Sequence, residues 1–207
     1  MSTFSFKNSS ERGLTLIEAI VVVSLSTLLM LVITSSIANI YQANSFAMAQ
    51  SNEIDQARRG LQAWLVDAKR MNFADDGTFP LMEMEPHKMS FFSQLDDDDS
   101  MEFVEYYLDN KVLYKKVYEA SGHPPVYDFS TPVRTEILSK FVQNLGEGVD
   151  TFSYFDNAGN QLTSATALLT DVRYFSIKVI VNTDPIRAPG EFLLQSGATP
   201  RNMKDNL

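Results

Sequence analysis

Between Leu14 and Ile33 the chain is almost continuously apolar, with only Thr15, Glu18, Ser24, Ser26 and Thr27 polar. At about 1.5 Å rise per residue such a run covers about 30 Å, the hydrocarbon thickness of a bilayer, and it predicts one transmembrane helix. Serine and threonine are tolerated there because their hydroxyls can bond back to the helix backbone. Beyond Ile33 the pattern becomes periodic. Ile37, Ile40, Tyr41, Asn44 and Met48 recur at spacings of three and four, and Ile54, Ala57, Leu61, Trp64, Leu65 and Ala68 do the same. This is the signature of an amphipathic helix. Glu53, Asp55, Arg58, Arg59, Gln62, Asp67 and Lys69 fall mostly elsewhere on the wheel. No proline precedes Pro80, and Gly60 is the one glycine in this stretch, at a cost of about 1 kcal/mol relative to alanine. A single helix from Leu14 to about Met71 is predicted, with Ile54, Leu61, Trp64 and Leu65 as core.

Asn72 to Pro80 carries Asp75-Asp76-Gly77, turn chemistry that ends the helix. Strand patterns follow. Ser90 to Ser93 is a short candidate. Met101 to Leu108 and Val112 to Tyr118 are rich in aromatic and β-branched residues and flank Asp109-Asn110-Lys111, a hairpin. Gly122 to Pro125 reads as loop. Glu136 to Leu145 is ambiguous between strand and short helix. Thr151 to Asp156 and Gln161 to Leu162 flank Asn157-Ala158-Gly159-Asn160, a second hairpin turn. Val172 to Asn182 is the strongest strand, ended by Pro185, Pro189 and Gly190, and Phe192 to Gln195 is a final edge strand. One long helix followed by antiparallel hairpins gives an α+β class.

Composition adds boundaries to this picture. With 207 residues, 44% hydrophobic and 21% charged, the chain has room for one ordinary domain and an anchor. The net charge of −9, with no cluster of Lys and Arg, argues against direct nucleic-acid binding. No cysteine is present, which excludes disulfides, thiolate catalysis and Cys-ligated zinc. Lys7 and Arg12 precede the apolar run, and no Lys or Arg follows it until Arg58. The positive-inside rule then places the N-terminus in the cytoplasm and the rest outside. Glu18 is the anomaly, because a carboxylate in a membrane helix is costly and calls for a partner. It either reaches the interface or pairs with a cation from another chain.

Gly13-Leu14-Thr15-Leu16-Ile17-Glu18, behind a basic leader, resembles the processing signal of type IV prepilins and pseudopilins. The resemblance implies cleavage by a membrane aspartyl peptidase between Gly13 and Leu14, methylation of the new Leu14 terminus, and Glu18 as the fifth mature residue. Leu14 departs from the phenylalanine usual at the first mature position but keeps a large apolar side chain. Tyr106-Tyr107-Leu108-Asp109, Leu169 to Arg173 and Arg201-Asn202 resemble the larger minor pseudopilins of the J and W types. The implied organisation is a leader over 1–13, a membrane-spanning half-helix over 14–33, an amphipathic half over 34–71 and an extracytoplasmic β-rich domain over 72–207. The implied partners are other pilin subunits, the prepilin peptidase and methylase, and the membrane. The implied role is a minor subunit that joins or primes a pilus or a type II secretion pseudopilus. In such an assembly Glu18 neutralises the terminal ammonium of a neighbour, in a low dielectric where the pair is worth more than in water.

Two other readings stand beside this one. Ser36-Ile37-Ala38 resembles a signal-peptidase site, which would release a domain starting at Asn39. A single-pass anchor could instead carry a binding or sensor module that forms no filament. Asp96, Asp97, Asp98 and Asp99, with Glu102 nearby, are a weak candidate for Ca²⁺, since they lack the alternating ligands and glycine of a calcium loop. No other cofactor is expected. Asp156 to Asn160 also offers oxygen ligands, with a hairpin turn as the simpler use. His87 and His123 are far apart and make no metal spacing. No phosphate loop, nucleophile elbow or catalytic triad is legible, and no enzyme is expected.

Overall fold

The structure is a computed structural model that describes residues 15–96, 100–163, 168–184 and 190–200. The chain divides into two compact units, Met1–Phe46 and Ala47–Leu207. Helix α1 runs Leu16–Lys69, ending two residues short of the predicted boundary. Met71 already belongs to the β structure, bridging Ser93. In the first unit the described residues are helical from Leu16 onward.

In the second unit α1 contributes a stripe of Ala57, Gly60, Leu61, Trp64, Asp67 and Ala68, all buried. Spacings of three and four put them on one face. That face packs in a core with Met71, Phe91, Val104, Tyr106, Leu113, Phe152, Phe175 and Ile177. Trp64 is fully buried, as the apolar stripe predicts.

The strands are β1 (Leu81–Met84), β2 (Lys88–Ser93), β3 (Glu102–Asp109), β4 (Val112–Tyr118), β5 (Ala120–Ser121), β6 (Val126–Tyr127), β7 (Arg134–Ser139), β8 (Phe152–Phe155), β9 (Gln161–Leu162), β10 (Tyr174–Val181) and β11 (Phe192–Ala198). One sheet has the order β1-β2-β3-β4-β7, a second β11-β10-β8-β9, and β5 pairs β6 alone. Among the described residues the strand pairings are antiparallel. The fold is α+β, with the second part of a long helix packed on antiparallel sheets, as the element order predicts.

Details sharpen individual expectations. The β3–β4 loop has two residues, Asn110 and Lys111, with φ of 43° and 67°. Two successive left-handed residues match the twist of the flanking strands. Glu136 to Leu145 is strand and helix in turn: β7 ends at Ser139, and a four-residue helix α2 occupies Asn144–Glu147. Between them Val142 bridges Val181, so this segment joins the two sheets. Asn144 secures the junction, donating from Nδ2 to Lys178 O and accepting from Ile180 N–H, both at 2.8 Å.

Gly60 is required by a long-range contact. The β4–β7 register shifts at Leu113/Tyr114. A Cβ on Gly60 would lie 2.8 Å from Leu138 Cβ and 2.9 Å from its carbonyl oxygen. Only a residue without a side chain lets helix and strand approach this closely. On the far side of the first sheet Ala74, Phe92, Phe103, Tyr118 and Tyr127 form a smaller core. Ring centroids there lie 5.0 Å apart for Phe92–Tyr127 and 4.7 Å for Phe103–Phe129.

Candidate functional site

Gly13 and Leu14 lie outside the described residues. Glu18 lies in the first turn of α1. Its backbone N–H donates to Thr15 Oγ1 at 3.3 Å. Thr15 is the N-cap and Glu18 the third helical residue, so Thr-x-x-Glu has the form of a capping box. The Thr-x-x-Glu spacing is legible in the sequence. A carboxylate at this end of a helix also interacts favourably with the helix dipole, by roughly 0.3–1 kcal/mol. The cap itself is the Thr15 hydroxyl, which Glu18 meets through its backbone N–H.

After Glu18 the next charged residue is Glu53. From Ile20 to Ile40 the large apolar side chains are exposed all round the helix, from Met30 at 72% to Ile37 at 48%. A helix apolar around its whole circumference buries its surface in lipid or among other helices. Several of its hydroxyls bond to its own backbone. Ser24 donates to Ile20 O, Thr27 to Val23 O and Thr34 to Met30 O, each at 2.8 Å. α1 is long and apolar enough to cross a membrane.

The candidate calcium ligands are only partly described. Asp96 follows β2 and lines a depression with Glu102, Glu119 and Arg134, while Asp97, Asp98 and Asp99 lie outside the described residues. Glu102 Oε2 accepts the Leu95 N–H at 2.8 Å, so one nearby carboxylate is engaged in holding the loop. Among the described residues no three His, Asp or Glu side chains form a metal-holding group. Asp156 acts as a turn former. Its Oδ1 accepts the Ala158 and Asn160 N–H groups at 2.9 and 2.8 Å, and its Oδ2 accepts Asn160 Nδ2 at 2.9 Å. The side-chain bond from Asn160, then its backbone bond, hold the Asp156 carboxyl below its ordinary range. His87 Nδ1 lies 3.1 Å from Thr151 Oγ1, and His123 precedes a cis proline peptide at Pro124.

One expectation needs correction. Asp67, expected among the polar positions of the helix, is buried instead. It sits three residues after Trp64 on the apolar stripe, and the sheet supplies its partners. Lys115 Nζ donates to Asp67 Oδ2 at 2.5 Å, and Tyr106 Oη donates to the same oxygen. Tyr106 and Lys115 are cross-strand partners in β3 and β4. Burial first, and the Asp67 charge second, push the Tyr106 phenol well above its ordinary value. The sequence did carry a signal for this cluster. Leu113, Lys115 and Val117 alternate inward on β4, which puts a lysine at a core position, and Asp67 follows the 57-60-64 spacing.

Other buried polar side chains also cross the fold. Gln50 Nε2 donates to Val181 O at 3.2 Å, and Gln50 Oε1 accepts from Thr183 N–H and Oγ1 at 2.9 and 2.7 Å. Tyr154 Oη donates to Glu85 O and Lys88 O at 3.1 and 3.2 Å. These groups serve the fold, and none forms an open reactive cleft. No protein-family model matches the chain, and no curated protein matches it.

Proposed function

We propose that this protein is a minor pilin or pseudopilin subunit, anchored by α1 in the cytoplasmic membrane with its β-rich domain outside, that joins or primes a helical filament. The observation that carries the reading is the pairing of a Gly13–Glu18 processing-type signal with a stretch of α1, from Leu16 to Ile40, that is exposed and apolar and whose one charge is Glu18. Cleavage after Gly13 would create an ammonium four residues before Glu18. In a bundle of such helices Glu18 of one subunit neutralises the terminus of the next, and the low dielectric strengthens that pair. An unpaired Glu18 in lipid is costly, so pairing favours association and fixes its register.

The charge of Glu18 is separable from its place in the capping-box spacing. Glutamine at position 18 keeps the hydrogen-bonding side chain that a capping box uses and removes the charge. Glu18→Gln should therefore insert as a helix but lose filament incorporation nearly as severely as Glu18→Ala, read in the sheared filament fraction. Incorporation of Glu18→Gln at the wild-type level would contradict the charge-pairing mechanism.

A further inference from the structure

Asp67, Lys115 and Tyr106 form a hydrogen-bonded polar set enclosed in the core. Their exposures are 7%, 5% and 0%. Lys115 Nζ and Tyr106 Oη converge on one oxygen of Asp67, the first at 2.5 Å. Lys115 Nζ also lies 5.8 Å from the Tyr106 ring centroid. A buried Lys–Asp ion pair contributes little net stability, because the desolvation of both charges offsets their attraction. Condensing the two groups would replace two buried charges with one neutral amide. An amine held against a carboxyl group in fixed geometry has an effective concentration far above any in solution, on the order of 10⁵ M or more.

We propose that Lys115 and Asp67 are joined by an isopeptide bond that the folded protein forms by itself. The ion pair first transfers a proton from Lys115 Nζ to the Asp67 carboxylate, giving a free amine and a carboxylic acid. The amine lone pair attacks Asp67 Cγ and the C–N bond forms. Tyr106 Oη, already bonded to Oδ2, passes its proton to that oxygen as the C–O bond breaks, and water leaves. The surplus proton on the new amide nitrogen returns to Tyr106. One amide and one water result, with no oxidant, metal or cofactor, and the apolar surroundings protect the product from hydrolysis. Tyr106 is the catalytic residue of this step, acting as a positioned acid and then as base.

The bond would tie α1 to β4 across 48 residues of sequence in a chain that has no cysteine for a disulfide. It stands or falls independently of the filament reading, because it requires only the folded second unit.

Trypsin digestion of the full chain, extracted in detergent and analysed by mass spectrometry, tests it. A linked protein yields the peptide Gly60–Lys69 joined to Val112–Lys116, lighter than their sum by one water, with no cleavage after Lys115. Two linear peptides with normal cleavage after Lys115, from protein that is folded by circular dichroism, would overturn the proposal. Tyr106→Phe keeps the ring but removes the proton donor, and linkage should slow by roughly 10²-fold. Full linkage in Tyr106→Phe at the wild-type rate would overturn the role of Tyr106. Asp67→Ala should give no linked peptide, and a Lys115 adduct persisting there would show that Asp67 is not the partner.

Discussion

Hydroxyls of the first unit and several buried polar side chains of the second find their partners in opposite ways. In the helix before Ala47, Ser24, Thr27, Thr34, Ser35 and Ser45 all donate to carbonyls three or four residues back. In the second unit Gln50, Asp67, Asn144 and Tyr154 bond to groups 34 to 133 residues away. The first pattern keeps these hydroxyls within the helix and leaves its apolar side chains exposed. It suits a medium or neighbours that offer apolar surface. The second pattern is that of a self-contained fold, in which buried polar groups specify one arrangement of helix and sheets.

If this contrast is right, substitutions in the second unit should cost far more than equivalent ones in the first. The largest effect is expected at Asp67→Ala, which leaves Lys115 buried without its partner. Removing one member of a buried pair costs about 3–5 kcal/mol, and loss of the proposed Lys115–Asp67 link would add to it. Urea unfolding of the full chain in detergent, followed by the fluorescence of Trp64, the chain's only tryptophan, reads this directly.

Alkali should act next. Burial raises the phenols of Tyr106 and Tyr154 well above their ordinary value, and burial with the Asp75 charge pushes Tyr127 up to about 12. The unfolded chain therefore releases these protons at lower pH than the fold does. Their contribution to stability is complete below about pH 10 and is lost as pH rises through the folded values. Unfolding midpoints should be level from neutral pH to about 10 and fall beyond it. A level profile to pH 12 would show that these phenols are not held neutral.

Gly60→Ala should destabilise by about 1–3 kcal/mol through overpacking against Leu138, although alanine is the better helix former. A gain in stability would show that β7 yields easily. The smallest effect belongs to Ser24→Ala in the first unit, within about 0.5 kcal/mol, because the hydroxyl serves only its own helix.

Legibility from the sequence followed the range of the interaction. The long helix was readable because its apolar run and its periodic stripe are local patterns. The β3–β4 and β8–β9 hairpins were readable because Asn110 and Gly159 announce the left-handed residues of their turns. β1 was missed because Leu-Met-Glu-Met between Pro80 and Pro86 is short and carries no β-branched residue. Gly60 could be read only as a cost, since its reason is a contact with Leu138. The Asp67–Lys115 pair was missed for the same cause, because each residue alone looks like a surface charge. At the candidate site the Thr15–Glu18 cap was local and could have been read. A partner charge for Glu18 lies on another chain in the proposed assembly, beyond what one sequence or one subunit displays.

The identity of the first residue of the mature protein tests the central claim most directly. Mass spectrometry of the N-terminal peptide from native membranes should find a chain that begins at Leu14 and carries one N-methyl group. A chain that keeps residues 1–13 or begins at Asn39 would contradict the account, the first indicating an ordinary anchor and the second a secreted domain.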